Sequence, residues 1–200
     1  MTRVAGVVLC GGESKRMGRP KAWLPFAGEL LLPRIVRLLA ETVSPIVVVA
    51  APEQDLPPLP GDVAIVRDEV KGRGPLQGLA AGLAALRADA AFVSSCDAPF
   101  LRPALVRRMI ELLGEHHICV PHVDDHYHPL TAVYRAKVLD AVRTLLAENR
   151  LRPAFLFDAV PTRIVTASEL IDVDPTFASL RNVNTPEEYE QALCDADFVR

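Results

Sequence analysis

No long apolar run, no CxxC pair, no strong net charge and no Walker or dinucleotide-type glycine motif occurs in this sequence, and each absence narrows what the chain can do. The first apolar segment, Val4 to Cys10, ends at Gly-Gly and charge. It is too short for a signal peptide and far short of the roughly 20 residues that span a bilayer. The expectation is a soluble, cytoplasmic protein with no membrane partner. Cys10, Cys96, Cys119 and Cys194 are widely separated, three of them in or beside apolar strand-like runs, and read as buried free thiols. A formal charge of −3 and a pI near 6.0 give no global attraction to nucleic acid, so any basic site must be local. The serines lack an evident base partner and there is no nucleophile elbow, which leaves covalent hydrolase chemistry little support. No internal repeat is present, and 200 residues, half of them hydrophobic, can bury a sizeable core as one domain over 1–200.

What the sequence does contain is an alternation of short β-rich runs with helical patterns. Val4 to Cys10, Ile46 to Ala50, Val63 to Val66 and Ala91 to Ser95 read as strands, and their continuous apolar character suggests burial on both faces. Between them, Leu30 to Val43 reads as a helix. Pro75 stands in a first helical turn ahead of Leu76, Leu79, Leu83 and Leu86. Pro103 opens another helix, Ile118 to Val120 and Leu130 to Tyr134 are further strands, and Lys137 to Glu148 is helical. A short strand around Arg163 to Val165 follows, and Thr185 with Glu188 forms a capping box for a terminal helix. The pattern predicts a three-layer α/β/α sandwich with a mixed, mostly parallel sheet of six or seven strands, and ligands at the carboxyl edge of that sheet. Pro52 to Pro60 reads as a loop within it.

The most informative stretch runs from Val7 to Lys21. An apolar strand feeds a loop with three glycines and four cations and only Glu13 as an acid, so bare backbone N–H groups and positive side chains can surround a polyphosphate. Gly11 and Gly12 can also be a plain tight turn, with Lys15, Arg16 and Arg19 as a solvated rim. Lys21, as a loop cation, is expected to be solvated in the absence of ligand. Asp97 follows the strand ending at Ser95, at the same edge, where a carboxylate can hold Mg²⁺ against phosphate oxygens; Pro103 starts the next helix too far on for Asp97 to be its cap. Asp68 to Gly78 is a second glycine-bearing loop entering a helix, suited to base and ribose or else a solvated turn, with Lys71 and Arg73 unassigned. His116, His117, His122, His126 and His128 are grouped with Asp124 and Asp125. The first two read as a helix-ending turn and Asp124 to Tyr127 as a hairpin tip rather than as a zinc site, with His128-Pro129-Leu130 the more functional piece.

Taken in order, Leu9-Cys10-Gly11-Gly12-x-Ser14-x-Arg16-Met17-Gly18-x-x-Lys21, Asp68 with Gly74-Pro75-Leu76-x-Gly78, Cys96-Asp97-x-Pro99-Phe100, His128-Pro129-Leu130 and Asn182-Val183-Asn184-Thr185-Pro186-Glu187 resemble the molybdenum cofactor guanylyltransferases, within the nucleotidyltransferases of Rossmann-like fold. The resemblance spans residues 4 to about 193. It implies transfer of GMP from GTP to molybdenum-bound molybdopterin with pyrophosphate leaving, Mg²⁺ as cofactor, and molybdopterin-carrying proteins or molybdoenzymes as protein partners. By position, Leu9, Cys10, Gly11, Gly12 and Gly74 would line the nucleotide, Lys21 its phosphates, Asp68 the nucleoside side and Asp97 the metal. Arg16, His128, Asn182 and Asn184 match positions near phosphates and the pterin; on the residues alone, Asn182 and Asn184 read as turn residues before a helix. Two departures stand out: Arg19-Pro20 replaces the family's usual Gly-x-Asp before the loop lysine, and Ala50-Ala51-Pro52 stands where a polar residue often follows the second strand. Related readings are a cytidylyltransferase on the same pterin, a sugar-phosphate nucleotidylyltransferase, or a GTP-binding cofactor-insertion chaperone without turnover.

Overall fold

A computed structural model describes residues 3–11, 17–68, 70 and 72–197. The chain runs β1 (Val4–Leu9), a 3-10 turn at Lys21–Trp23, the short strands β2 (Pro25–Phe26) and β3 (Glu29–Leu30), α1 (Leu31–Ala40), β4 (Ile46–Ala50), β5 (Ala64–Arg67), α2 (Gly74–Ala84), β6 (Ala90–Ser95), α3 (Pro103–Leu112), β7 (Ile118–Val123), β8 (His126–Tyr127), β9 (Thr131–Arg135), α4 (Leu139–Ala147), α5 (Phe155–Ala159), β10 (Thr162–Thr166) and α6 (Pro186–Asp197). Among the described residues the main sheet has eight strands, in the order β10-β7-β9-β6-β1-β4-β5, with the short β8 paired to the end of β7. All pairings are parallel except those of β9 and β8, so six strands end at one edge and β9 begins there. This is the mixed three-layer sandwich that the sequence pattern predicts. No helix among the described residues is long and apolar enough to cross a membrane.

The strands sort their side chains by parity, as a period of two requires. Val7, Val47, Val49, Ala91, Val93, Ile118 and Val120 pack with α2, α4 and α5. Val8, Val48, Phe92, Cys119 and Val133 pack with α1 and α3 on the opposite face. Both faces are apolar, which is why β1, β4 and β6 read as unbroken hydrophobic runs. The run at β5 does not follow that reading: it is the edge strand, and Ile65 is 48% exposed. Helix starts follow Pro75 and Pro103, whose fixed φ and missing N–H suit a first turn. The helices are shorter than their hydrophobic patterns: α1 stops at Ala40, Leu86 lies beyond the end of α2, and a 3-10 turn at Ala136–Val138 precedes α4. Cys10, Cys96 and Cys119 are buried thiols as expected, but Cys194 is exposed on α6, where the apolar neighbours that signal burial in a strand are missing.

Ahead of α6 the expected capping box is half formed. The Glu188 N–H donates to Thr185 Oγ1 at 3.2 Å, but the Glu188 carboxylate reaches one residue further back and accepts the Asn184 N–H at 2.6 Å. A third apolar cluster, with Met17, Leu24, Phe26, Leu31, Val183, Tyr189 and Ala192, seals α6 against the β2–β3 hairpin.

α2 carries two glycines in its interior, at a cost of about 1 kcal/mol each relative to alanine. Gly82 has a packing reason. A Cβ there would lie 2.6 Å from Val7 Cγ1 and 3.3 Å from Val49 Cγ2, side chains that are stiff and buried in the sheet. Gly82→Ala should therefore lower stability by about 1–2 kcal/mol despite its better helix propensity, read as a lower urea midpoint with an unchanged slope; an unchanged or raised midpoint would show that α2 can move off the sheet.

Candidate active site

At the carboxyl edge the strand ends stand in the order β5, β4, β1, β6, bringing together Asp68, Ala51, the Cys10–Gly11 peptide and the Cys96–Asp97 segment. Parallel pairing sets this line-up: Leu9 is in register with Ser95 and with Val49, and the Asp68 N–H donates to the Ala50 carbonyl at 2.8 Å. Leu9, Cys10 and Gly11 stand at this edge, whereas Gly12 and Arg16 lie outside the described residues.

The 3-10 turn at Lys21–Trp23 packs beside α1 and brings the loop lysine back to the edge. Lys21 Nζ lies 2.5 Å from Asp97 Oδ2 and donates to Asn184 Oδ1 at 2.9 Å. The lysine side chain is 15% exposed and that of the aspartate 8%, so the expectation of a solvated loop cation is corrected. Lys21 without ligand is a largely buried ion-pair partner, because Asp97 and the C-terminal turn close over it. The other Asp97 oxygen accepts the Ser95 hydroxyl, and the Asp97 carbonyl accepts the Val183 N–H at 2.9 Å. Asp97 makes no cap to α3, whose first residues carry no side-chain cap. Thus Asn182-Val183-Asn184 is docked on Asp97 through main chain and on Lys21 through side chain.

Asp68 is half-buried, and its Oδ1 accepts the Val70 N–H at 3.1 Å, a local turn that shapes the entry to α2. Gly74 has φ +67°, a conformation that excludes most side chains, at the first position of α2. Arg73 donates to the Leu146 carbonyl and so ties α2 to α4; Lys71 lies outside the described residues. His128 enters the same edge because β9 is reversed: Ser94 pairs with Thr131, and the turn before Thr131 is fixed by the His128 N–H on the Pro121 carbonyl at 3.0 Å and the buried Tyr134 hydroxyl on the Pro129 carbonyl at 2.8 Å. Burial pushes the His128 imidazole below the ordinary histidine range. Of the other histidines, only His122 and His126 lie near it. His116 and His117 precede β7, whereas His122 and His126 lie at its far end beside the Asp124–Asp125 turn, where both φ values are positive.

Ser95, Gln54 and Tyr134 support this edge and were missed in the sequence reading, which had Glu188 only as a helix cap and without its bond to Asn184. Only Ser95, two residues before Asp97, carries a local signal, since short polar side chains often pair at that spacing.

The Cys96 thiol is raised above the ordinary range, first by its hydrogen bond with Cys10 and then by burial, so it is no ionised nucleophile at neutral pH. For a metal, Asp97 offers one hard carboxylate, and among the described residues no group of three or more His, Cys, Asp or Glu side chains forms. That donor set fits Mg²⁺ carried in on phosphate oxygens, since Mg²⁺ keeps its waters and takes one or two carboxylates, and it does not fit a zinc cage.

Residues 6–160 match the MobA-like NTP transferase domain. A molybdenum cofactor guanylyltransferase of Desulfosudis oleivorans is 31% identical over 194 residues, 96% of this chain and 95% of that protein. A probable molybdenum cofactor guanylyltransferase of Mycobacterium tuberculosis is 42% identical over 174 residues, 82% of this chain and 84% of its own length. Among solved structures, molybdopterin-guanine dinucleotide biosynthesis protein A from Archaeoglobus fulgidus aligns with a TM-score of 0.81 at 19% identity, covering 98% of this chain and 99% of that one. The 2-C-methyl-D-erythritol 4-phosphate cytidylyltransferase from Thermus thermophilus aligns at 0.71 and 18% identity, covering 96% and 98%. These two likenesses establish a shared nucleotidyltransferase fold. With its sequence match over most of the chain and relatives above 30% identity, the chain belongs to the MobA-like NTP transferase family and is a nucleotidyltransferase.

Proposed function

We propose that the chain transfers GMP from GTP to molybdenum-bound molybdopterin, giving the guanine dinucleotide form of the cofactor and pyrophosphate. The observation that carries this reading is the convergence of Lys21, Asp97 and Asn184, from three distant parts of the sequence, at the edge that also holds Leu9, Cys10 and Gly11. The names borne by the relatives supply the substrates.

The acceptor phosphate is ionised at neutral pH and needs no general base, so the work is to bring two polyanions together and disperse charge on the leaving group. Lys21 suits that role. Its ammonium has three donors, of which Asp97 and Asn184 take two, leaving a third for a phosphate oxygen at a position already fixed. Arg16 joins it by sequence pattern. The Gly11 amide, joined on sequence pattern by that of Gly12, would border the nucleotide, with Asp68 and Gly74 on the nucleoside side. Asp97, steadied by the Ser95 hydroxyl, would hold Mg²⁺, which when bound supplies Lewis-acid polarisation of the phosphates. Asn182 and His128 stand on the acceptor side. His128, with its basicity lowered by burial, is suited to hydrogen-bond the pterin as a neutral ring.

Calorimetric titration should rank GTP above CTP, ATP and UTP, and mixing GTP, Mg²⁺ and loaded molybdopterin should release pyrophosphate. CTP binding as tightly as GTP would overturn the guanine assignment, and nucleotide binding without turnover would favour a chaperone.

Asp97→Asn should lower transfer about a hundredfold or more. It should also cost about 3 kcal/mol of stability, because the amide leaves the largely buried Lys21 charge unbalanced. Lys21→Ala should show the same pairing of losses. Near-normal turnover in either variant would remove the residue from the mechanism, and an unchanged melting temperature would mean that water reaches the pair.

Asn182 and Asn184 should separate. Asn182→Ala should raise KM for the pterin and leave GTP affinity unchanged, whereas Asn184→Ala should weaken both, since its Oδ1 orients Lys21. Titration of GTP into the two variants checks this, and loss of GTP binding in Asn182→Ala would contradict it.

A further inference from the structure

Between the ends of β1 and β4 the hydrogen-bond ladder is interrupted by a side chain. The register pairs Leu9 with Val49, and the Cys10 N–H donates to the Val49 carbonyl at 2.8 Å. One more step of a parallel ladder would send the Ala51 N–H to the Cys10 carbonyl. Instead the Gln54 carboxamide stands between those two groups. Its Oε1 accepts the Ala51 N–H at 3.0 Å, its Nε2 donates to the Cys10 carbonyl at 3.0 Å, and the same nitrogen lies 3.4 Å from Cys10 Sγ. A single ladder bond has become a two-bond relay, so the strands part where they would otherwise stay about 4.8 Å from each other.

The wedge is itself held in place. The Gln54 N–H returns to the Ala51 carbonyl at 3.2 Å, and Arg67 donates to the Ala51 and Gln54 carbonyls at 3.0 and 2.7 Å. Asp55 accepts the Trp23 indole N–H at 3.2 Å, which ties the same loop to the turn that carries Lys21. Both backbone groups of Ala51 are therefore engaged within the protein. The Cys10 carbonyl is drawn toward Gln54 on the β4 side of β1. A Cβ on Gly11 would lie 3.6 Å from the Ala51 nitrogen, so Gly11 borders the opening directly. The opening is on the β4 side of β1, toward Asp68, while Lys21 and Asp97 are on the β6 side.

We infer that Gln54 is a positioning residue of the nucleotide site: it parts β1 from β4 and fixes the Cys10 carbonyl and the Ala51 N–H on the β4 side of the edge, where the nucleoside end of the ligand would sit, with no part in holding the triphosphate. This rests on the reading of the edge as a GTP site. Glutamine suits the task because its amide, like a peptide, carries donor and acceptor in one plane; glutamate keeps the acceptor for Ala51 but meets the Cys10 carbonyl with no donor.

The test titrates the full chain with GTP and with inorganic tripolyphosphate, for wild type, Gln54→Ala and Gln54→Glu. Both variants should lose about tenfold in GTP affinity and keep wild-type affinity for tripolyphosphate, and in turnover they should raise KM for GTP with kcat held. Gln54→Glu preserves bulk and the Ala51 bond, so it reads out the Cys10 contact even if the alanine variant fails to fold. Equal weakening of both probes would reveal a general structural role and overturn the inference. Wild type that prefers GTP over tripolyphosphate, with both variants keeping that preference, overturns this inference alone. Wild type that binds the two probes alike overturns the GTP reading as well.

Discussion

The Lys21 ammonium is gripped by oxygens from residues 76 and 163 positions further along the chain, inside a site that admits little water. A charge so placed needs its partner, and both partners are placed by other elements: Asp97 by the end of β6, Asn184 by the turn before α6. The terminal helix accordingly does more than finish the fold. Its apolar side joins Met17, Leu24 and Phe26, its Tyr189 hydroxyl meets the Pro25 carbonyl, and its approach segment is fastened to Asp97 by the Val183 N–H. Distant parts of the chain are thereby committed to one another at the Lys21–Asp97 ion pair.

The sheet supplies the other half of the arrangement through its one reversed interior strand. In an all-parallel winding, the segment leading into β9 would lie at the opposite edge. Because β9 runs backwards between β6 and β7, the connection from β7 turns round at the carboxyl edge and deposits His128 there. The carboxyl edge thus has a parallel side, β5 to β6, and a mixed side beyond it.

Much of this was legible in the sequence because the governing signals are local. The strands β1, β4 and β6 are apolar on both faces, Pro75 and Pro103 mark helix starts, and the glycine loop follows a strand end. Asp97 could be placed at the right edge by counting from β6. What could not be read locally was pairing across the chain. Nothing near Lys21 announces that it is buried, since its partners are far away in sequence. Asn184 reads as a turn residue on its own terms, and the family resemblance is what drew it toward the site. Gln54 sits in a proline-rich loop with no periodicity, and its importance depends on a register between β1 and β4 that only the folded sheet defines. The β2–β3 hairpin was missed for a related reason: two-residue strands are too short to display alternation.

The glycines of α2 bear on mechanics as well as fit. Gly78 and Gly82 lay the helix directly on Leu9 and Val7, with no intervening side chain to act as a cushion. Close-packed protein interiors compress little. The helix that begins at Gly74 and the strand that ends at Leu9 therefore form one stiff strut, and a load applied at its tip displaces both together or neither.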